Sequence, residues 1–142
     1  MICLTRRYRF AASHRLHSPR LSEDENRTLY GKCNNPFGHG HDYTLEVSVG
    51  CPVDQRTGRV ANVNALDRLV EEHVLRAFDH RNLNVEVPAF GALVPTSENL
   101  TIEIRDRLGA NWKRAFPEGG AVLERVRLHE TRRNTFELMG TV

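Results

Sequence analysis

The sequence has no hydrophobic run long enough to cross a bilayer, and its opening lacks the apolar stretch of a secretory signal peptide. Cysteine is also scarce, because Cys3, Cys33 and Cys51 are an odd number and no two of them have CxxC spacing. These absences argue against a membrane-spanning segment and against a disulfide scaffold. They predict a protein of the reducing cytoplasm.

Lysine is nearly absent, with only Lys32 and Lys113 beside 18 arginines. The basic residues are scattered among 18 acidic ones and the net charge is +2, so there is no basic stripe of the kind that binds nucleic acid. We therefore expect neither nucleic acid nor a membrane as a partner. The planar fork of arginine suits carboxylate and phosphate groups, which is compatible with an anionic small-molecule ligand. A length of 142 residues predicts a single domain, residues 1–142.

Two histidines separated by one glycine, His39 and His41, are the most informative feature that is present. Alternate side chains of a strand share a face, so the two imidazoles point the same way about 7 Å apart. His14 ends another alternating segment, in which the even-numbered residues from 2 to 14 are mostly apolar. Three imidazoles on one divalent ion, with one position open, are typical of catalytic zinc. A solvated turn, or a hydrogen-bonded core histidine, remains an alternative for each residue alone.

The remaining apolar pattern predicts two helices and a second pair of strands. Residues 41–49 alternate as a strand, and residues 16–37 form a long polar loop before it. Helical spacing runs from Val63 to Phe78, with Asn64 as the expected N-cap.

Capping residues for a second helix follow at positions 96–98, and a hairpin ends the chain. Its first strand is expected to place the following residues on one face: Val122, Glu124, Val126, Leu128 and Glu130. This order of elements predicts an α+β fold with an antiparallel sheet and helices on one face.

Four side chains outside the histidine group could carry chemistry. Cys33 lies in a polar loop beside Lys32, and a cation nearby would help its thiol ionise, although most lone cysteines are small buried hydrophobes. Asp79 could orient the ring of His80, or the two could be a helix cap and a surface histidine. Glu130 stands where an apolar face would continue. It could bind the paired N–H groups of a purine or pterin, or an arginine of this chain.

With these residues in place, the chain resembles the 6-pyruvoyl-tetrahydropterin synthase family from about residue 8 to the C-terminus. Six ordered stretches carry the resemblance: Phe10-Ala11-Ala12-Ser13-His14-Arg15-Leu16, Gly31-Lys32-Cys33-Asn34-Asn35-Pro36, Gly38-His39-Gly40-His41-Asp42-Tyr43, Asp79-His80-Arg81-Asn82-Leu83-Asn84, Pro95-Thr96-Ser97-Glu98-Asn99 and His129-Glu130-Thr131.

The resemblance implies a zinc-dependent lyase that eliminates triphosphate from 7,8-dihydroneopterin triphosphate and rearranges the side chain to give 6-pyruvoyl-tetrahydropterin. It implies that His14, His39 and His41 bind Zn²⁺, that Cys33 is the general base and that Asp79 with His80 forms its acid/base partner. Glu130 would anchor the pterin, helped by the residues of the helix start: Thr96, Ser97 and Glu98. For Glu98 the alternative is a first-turn carboxylate that favours the helix dipole.

The resemblance also implies the tunnelling fold: four antiparallel strands and two helices per subunit, with trimers closing a barrel and two trimers stacking as a hexamer. The 6-carboxy-tetrahydropterin synthases of queuosine synthesis are similar and provide an alternative function. The loop around Cys33 and the stretch from Val87 to Phe90 resemble the pyruvoyl enzymes more. Two other hypotheses are a catalytically silent pterin- or purine-binding module and a zinc ion of purely structural role.

Overall fold

The computed structural model describes residues 1–140 and shows an α+β fold built on one mixed sheet. The strands lie in the order β3-β1-β2-β4-β5. Their bounds are β1 (Ile2–His14), β2 (His39–Cys51), β3 (Arg81–Asn82), β4 (Val122–His129) and β5 (Thr135–Met139). The α+β class is confirmed, but the expectation of four antiparallel strands is wrong, because β3 is a fifth strand and runs parallel to β1. Two residues are too few to show a period of two, so alternation could not reveal β3.

The long pair formed by β1 and β2 brings the candidate histidines together. Its antiparallel register runs from Ile2 opposite Cys51 to His14 opposite His39. The predicted alternation of β1 is confirmed near the histidine end, where Phe10 and His14 are buried. Because register fixes the face of every side chain, the histidines of both strands lie at one end of the sheet and on its core face.

A β-bulge in β4 changes the faces expected for its first half. The register with β2 shifts between Ser48 and Val49, and Glu124 has no residue opposite it. Leu123 therefore joins the core instead of Val122 and Glu124, and the prediction for those two residues is wrong. A bulge adds one residue to one strand only, so a pattern read along a single strand cannot show it.

The connection before β2, predicted as a loop, contains α1 (Glu23–Tyr30) and a 3-10 turn (Gly31–Asn34). Ser22 and Glu25 form a capping box at the start of α1. The buried Asn26 amide donates to the carbonyl groups of Ser18, Leu21 and Ser22. Polar caps and a buried amide thus order this segment without an apolar stripe.

Helices cover one face of the sheet and close the core. The first, α2 (Val63–Val70), continues through a π-helical turn (Glu71–Leu75) into α3 (Arg76–Phe78). Asn62 caps α2 by accepting the Ala65 N–H at 3.1 Å, so the expected cap at Asn64 is wrong by two residues. A short α4 (Leu83–Glu86) precedes α5 (Ser97–Ala115).

The core lies between these helices and the sheet, and it includes Phe10, Tyr43, Leu45, Val47, Leu66, Val74, Phe78, Leu100, Ile104, Leu108, Val126 and Leu128. Within residues 1–140, no helix is both long enough and apolar enough to pass through a membrane.

Candidate active site

Three imidazoles converge where β1 ends and β2 begins. One ring nitrogen each from His14, His39 and His41 lies within 4.8 Å of the other two. The ring centroids are 4.7–5.0 Å apart, and each pair of rings meets edge to face. The sequence-based prediction that these three side chains converge is therefore confirmed.

Hydrogen bonding leaves nitrogen atoms of this cluster free to bind an ion. His14 Nδ1 donates to the Pro95 carbonyl at 2.8 Å, so its Nε2 carries the lone pair. That Nε2 and His39 Nδ1 are buried with no hydrogen-bond partner within the described residues. His39 Nε2 and His41 Nε2 are 2.9 Å apart and can share only one proton.

Burial also favours the neutral rings that a metal requires. It lowers the pKa of His14, which is 1% exposed, and it lowers the pKa of His41. A donor set of three imidazoles fits a divalent ion of borderline softness such as Zn²⁺.

Cys33 lies in the 3-10 turn that leads toward β2, and the chain there is fixed to the end of β1. The Cys33 carbonyl accepts the Leu16 N–H at 2.8 Å, and the Asn34 amide donates to the Leu16 carbonyl at 2.7 Å. Burial and the nearby Glu130 carboxylate raise the pKa of the Cys33 thiol. The protein groups alone thus act against the easy ionisation expected for this thiol, and a bound cation would act in the opposite direction.

Glu130 lies between the histidine cluster and the first turn of α5. Its Oε1 is 3.2 Å from His41 Nε2, and its Oε2 accepts a short hydrogen bond from the Ser97 hydroxyl. Ser97 is 2% exposed, and α5 directs it at the sheet because Thr96 serves as the N-cap. The arginine partner considered for Glu130 is not found within residues 1–140.

The other two residues of the helix start have different surroundings. Thr96 Oγ1 accepts the Asn99 N–H at 3.2 Å, so it is partly used in capping. Glu98 is exposed in the first turn of α5 and has no ion pair or hydrogen bond through its side chain in the described part of the chain.

Asp79 and His80 lie at the outer edge of β1, and no hydrogen bond or ion pair joins them to Cys33 within the described residues. Asp79 Oδ1 accepts the Ala11 N–H at 2.9 Å, and the His80 N–H donates to the Ala11 carbonyl at 2.6 Å. These bonds hold His80 in the left-handed region, with φ of 59°. The predicted pairing of the two is present, with His80 Nδ1 3.1 Å from Asp79 Oδ1. No hydrogen bond or ion pair within residues 1–140 connects them to the histidine cluster or to Glu130.

Two contributors to the site were not predicted from the sequence. One is the Pro95 carbonyl, which orients His14 and, as a backbone group, leaves no signal in the sequence. The other is Tyr43, which follows His41 on the same face, packs its ring edge to face against His41 and has a buried hydroxyl. Its position in the apolar alternation made it look like an ordinary core residue.

Comparison with known proteins places the chain in a family. The family model described as 6-pyruvoyl tetrahydropterin synthase matches residues 3–141. The chain is 45% identical over 131 residues to a 6-pyruvoyl tetrahydrobiopterin synthase of Poecilia reticulata, an alignment that covers 92% of this chain and 85% of the relative. The human enzyme of the same name is 44% identical over 131 residues, with 92% of this chain and 86% of the relative covered.

The fold agrees with this assignment. The solved structure of Caenorhabditis elegans 6-pyruvoyl tetrahydropterin synthase superposes with a TM-score of 0.87 at 38% identity, over 98% of this chain and 95% of that one. The chain belongs to the 6-pyruvoyl tetrahydropterin synthase family.

Proposed function

We propose that this protein is a 6-pyruvoyl-tetrahydropterin synthase, a lyase that acts on 7,8-dihydroneopterin triphosphate. It releases triphosphate and moves protons within the side chain to give 6-pyruvoyl-tetrahydropterin. The observation that carries this proposal is the convergence of three imidazoles beside the Glu130 carboxylate, in a chain of this family.

The metal we propose is Zn²⁺, held by the Nε2 atoms of His14, His39 and His41. When bound, it would polarise an oxygen of the substrate and make the adjacent C–H bond more acidic. The hydrogen bond from His14 to Pro95 supports this assignment, because metal-binding histidines usually donate their second ring nitrogen to such an acceptor.

Cys33 is the proposed base that accepts a proton from the substrate carbon. Its position near Glu130 supports a role in proton transfer, since the Glu130 carboxylate raises the pKa of the thiol. The raised pKa makes the Cys33 thiolate a stronger base, so it takes up a proton more readily once it has formed. The positive charge of a bound Zn²⁺ would favour formation of the thiolate.

For the pterin ring we propose Glu130 as the anchor, helped by Thr96, Ser97 and Glu98. The Ser97 hydroxyl donates to Glu130 Oε2, and His41 Nε2, 3.2 Å from Oε1, would give its lone pair to the metal, so Oε1 would be free to accept an N–H of the ring. Glu98 is exposed in the first turn of α5 and has no side-chain partner within the described residues, which supports a contribution to the same ring.

The absence of any hydrogen bond or ion pair between Asp79 or His80 and the Cys33 site, within residues 1–140, supports sites shared between subunits. β3 pairs with only two residues of β1, and the outer edge of β5 has no partner strand within residues 1–140. Unpaired edges of this kind favour strand pairing with another copy. We propose that three copies close a barrel in this way and that two such trimers stack as a hexamer, in which one subunit supplies Asp79 and His80 to the Cys33 site of another.

Large apolar side chains exposed near the metal end support such contacts. They belong to α1, the turn before β2, α4 and the segment before α5: Leu29, Phe37, Val85 and Leu93. Phe37, only two residues before His39, is 95% exposed in the single chain.

Product analysis tests the proposed reaction. The purified, zinc-loaded protein is incubated with 7,8-dihydroneopterin triphosphate, and the pterin and phosphate products are separated and identified. We expect free triphosphate and the 6-pyruvoyl product. A 6-carboxy product would instead assign the chain to the queuosine pathway, and binding without triphosphate release would make it a silent pterin-binding module.

A further inference from the structure

Glu46 is a buried carboxylate that the reaction described above does not use. Its neighbours Leu45 and Val47 point into the core, so Glu46 lies on the face of the sheet that the helices leave uncovered. It is nevertheless only 4% exposed. Arg7 Nε is 3.2 Å from its Oε2, and Arg127 Nη1 is 3.7 Å from its Oε1. A buried carboxylate needs such partners, because they offset the loss of its hydration.

The third partner of Glu46 is His129, the last residue of β4. Its Nε2 is 3.0 Å from Glu46 Oε2, and its Nδ1 is 3.0 Å from the Thr135 hydroxyl of β5. An ionised carboxylate can only accept, so Nε2 carries the hydrogen and Nδ1 accepts from Thr135. One neutral ring therefore joins β2, β4 and β5 through side-chain hydrogen bonds.

His129 is also the residue at which the strand pairing of β4 ends, directly before Glu130. The pairs of His129 with Thr44 and with Thr135 are the last ones toward the histidine cluster. Glu130 has no paired residue on β2 within residues 1–140, and its N–H instead donates to the Asn134 carbonyl at 3.2 Å across the turn. The position of the Glu130 backbone therefore depends on how firmly the preceding residue is held.

His129 and Glu130 lie on opposite faces of the sheet, because successive side chains of a strand alternate. The His129 ring lies on the uncovered face with Glu46, whereas the Glu130 carboxylate lies beside Ser97 and the histidine cluster. We propose that His129 is a positioning residue, whose hydrogen bonds to the two neighbouring strands fix the end of β4 and thereby hold the Glu130 carboxylate at the site. The inference rests on the proposed function in so far as Glu130 anchors a pterin.

Binding of neopterin, a fluorescent pterin without phosphate groups, to the zinc-loaded protein tests the inference without turnover. His129→Leu removes both side-chain hydrogen bonds, so we expect the Kd of neopterin to rise about fivefold, as for one weakened hydrogen bond at the ring. His129→Gln can still donate to Glu46, and we expect it to restore most of the affinity.

Arg127→Leu is the matched control. It removes another partner of Glu46 on the same face of β4, but Arg127 lies within the paired part of the strand, two residues before His129. Urea unfolding should show a loss of stability in both leucine variants, since each removes a partner of a buried carboxylate. Only His129→Leu is expected to weaken neopterin binding, which separates positioning from a general loss of stability.

Zn²⁺ affinity, measured by competition with a chelator, provides a second readout that needs no pterin. Glu130 Oε1 is 3.2 Å from His41 Nε2, so a displaced carboxylate should weaken Zn²⁺ binding about threefold in His129→Leu and not in Arg127→Leu. If the wild type binds no neopterin, the proposed function fails, and the Zn²⁺ comparison still decides the inference.

The inference is overturned if folded His129→Leu binds neopterin as tightly as the wild type, or binds Zn²⁺ as tightly where the wild type takes no neopterin. Equal weakening in Arg127→Leu would also overturn it, since His129 would then act only through the stability of the sheet. If His129→Leu does not fold, Thr135→Val replaces it, because this change removes only the hydrogen bond to Nδ1. We expect a smaller rise in the Kd of neopterin for Thr135→Val, and an unchanged value would overturn the inference.

Discussion

At the scale of single residues, the buried nitrogens of the histidine cluster are the clearest sign of function. A buried polar atom without a partner costs free energy, and natural chains retain it mainly where a ligand completes it. His14 has one buried ring nitrogen of each kind. Its Nδ1 donates to the Pro95 carbonyl, whereas its Nε2 points into the cluster without a partner in the described part of the chain. The spacing of the histidines predicted the cluster, whereas the orienting carbonyl became visible only in the fold.

Substitution of Cys33 tests the proposed base. We expect Cys33→Ala to reduce kcat by about 10²–10⁴, the usual contribution of a general base, with pterin and Zn²⁺ affinity nearly unchanged. Turnover and fluorescence titration with a pterin measure the two effects. Cys51→Ala is the matched control, because Cys51 is also a free cysteine but lies at the far end of β2. Equal activity of the two variants would remove Cys33 from the reaction.

Gly38 connects backbone geometry to the metal cluster. Its φ is +73°, and a Cβ there would lie 2.9 Å from the His14 carbonyl oxygen. Gly58 has the same conformation, with φ of +72° and nothing within 4 Å. We expect Gly58→Ala to cost about 1 kcal/mol of unfolding free energy and Gly38→Ala about 3 kcal/mol, because only the latter adds a backbone clash.

Urea unfolding measures the difference in unfolding free energy between the two variants. Zn²⁺ titration shows whether either substitution also affects the metal site. We expect weaker Zn²⁺ binding in Gly38→Ala only, since moving the His14 backbone moves its ring. Equal costs at the two glycines would mean that the close approach to His14 is not a constraint.

At the scale of elements, a polar cluster fastens α2 to β1. Arg6 donates two hydrogen bonds to Asp67, at 3.0 and 2.9 Å, and the Tyr8 hydroxyl donates a third at 2.7 Å. The hydrogen bond from Arg6 is the main reason that the pKa of Asp67 lies below its ordinary value of 3.8. Because the ion pair is exposed and screened, we expect only a modest contribution to stability from the whole cluster.

We therefore expect Asp67→Asn to lower the free energy of unfolding by about 1 kcal/mol at pH 7. Because the folded pKa is depressed, this contribution is present above pH 3.8 and is lost as the pH falls through the lower folded value. Urea titrations of the wild type and Asp67→Asn at pH 7 and near pH 2 would show that the difference in their unfolding free energies is smaller at the lower pH. Asp106→Asn, at an exposed pair with the adjacent Arg105, is the control and should cost little at either pH.

Elements with a regular apolar period could be predicted from the sequence, and the others could not. β1, α2 and α5 each present one buried face, and β2 alternates apolar and polar residues although Glu46 and Ser48 on its second face are also buried. The spacing of the apolar residues therefore reveals all four elements. α1 has polar caps and a buried asparagine in place of an apolar stripe, and β3 has only two residues. The bulge at Glu124 depends on the register with β2, which is a property of two strands together.

At the scale of the whole molecule, the candidate site residues fall into two groups that no hydrogen bond or ion pair joins within residues 1–140. The histidine cluster, Cys33 and Glu130 lie together under the start of α5, whereas Asp79 and His80 lie at the outer edge of β1. Sequence motifs predicted both parts but contained no information about the distance between them. In the proposed hexamer, that distance would depend on how the sheet edges of several copies meet.

Subunit complementation tests this division. Cys33→Ala and His80→Ala are each expected to be nearly inactive, and their sites lack different groups. If the site joins two chains, mixed oligomers formed by refolding the two variants together would contain some complete sites, so about a quarter of wild-type activity should return at equal mixing. Light scattering should give a mass near six chains. A fully active monomer of 16.2 kDa, or no recovery in confirmed mixed oligomers, would contradict shared sites.

The most direct test of the account is an X-ray structure of the zinc-soaked protein with anomalous data at the zinc edge. We predict one anomalous peak per chain, about 2.0–2.1 Å from the Nε2 atoms of His14, His39 and His41, with Glu130 and Cys33 close by. Three rings that diverge, with no peak between them although zinc is present, would contradict the account at its centre.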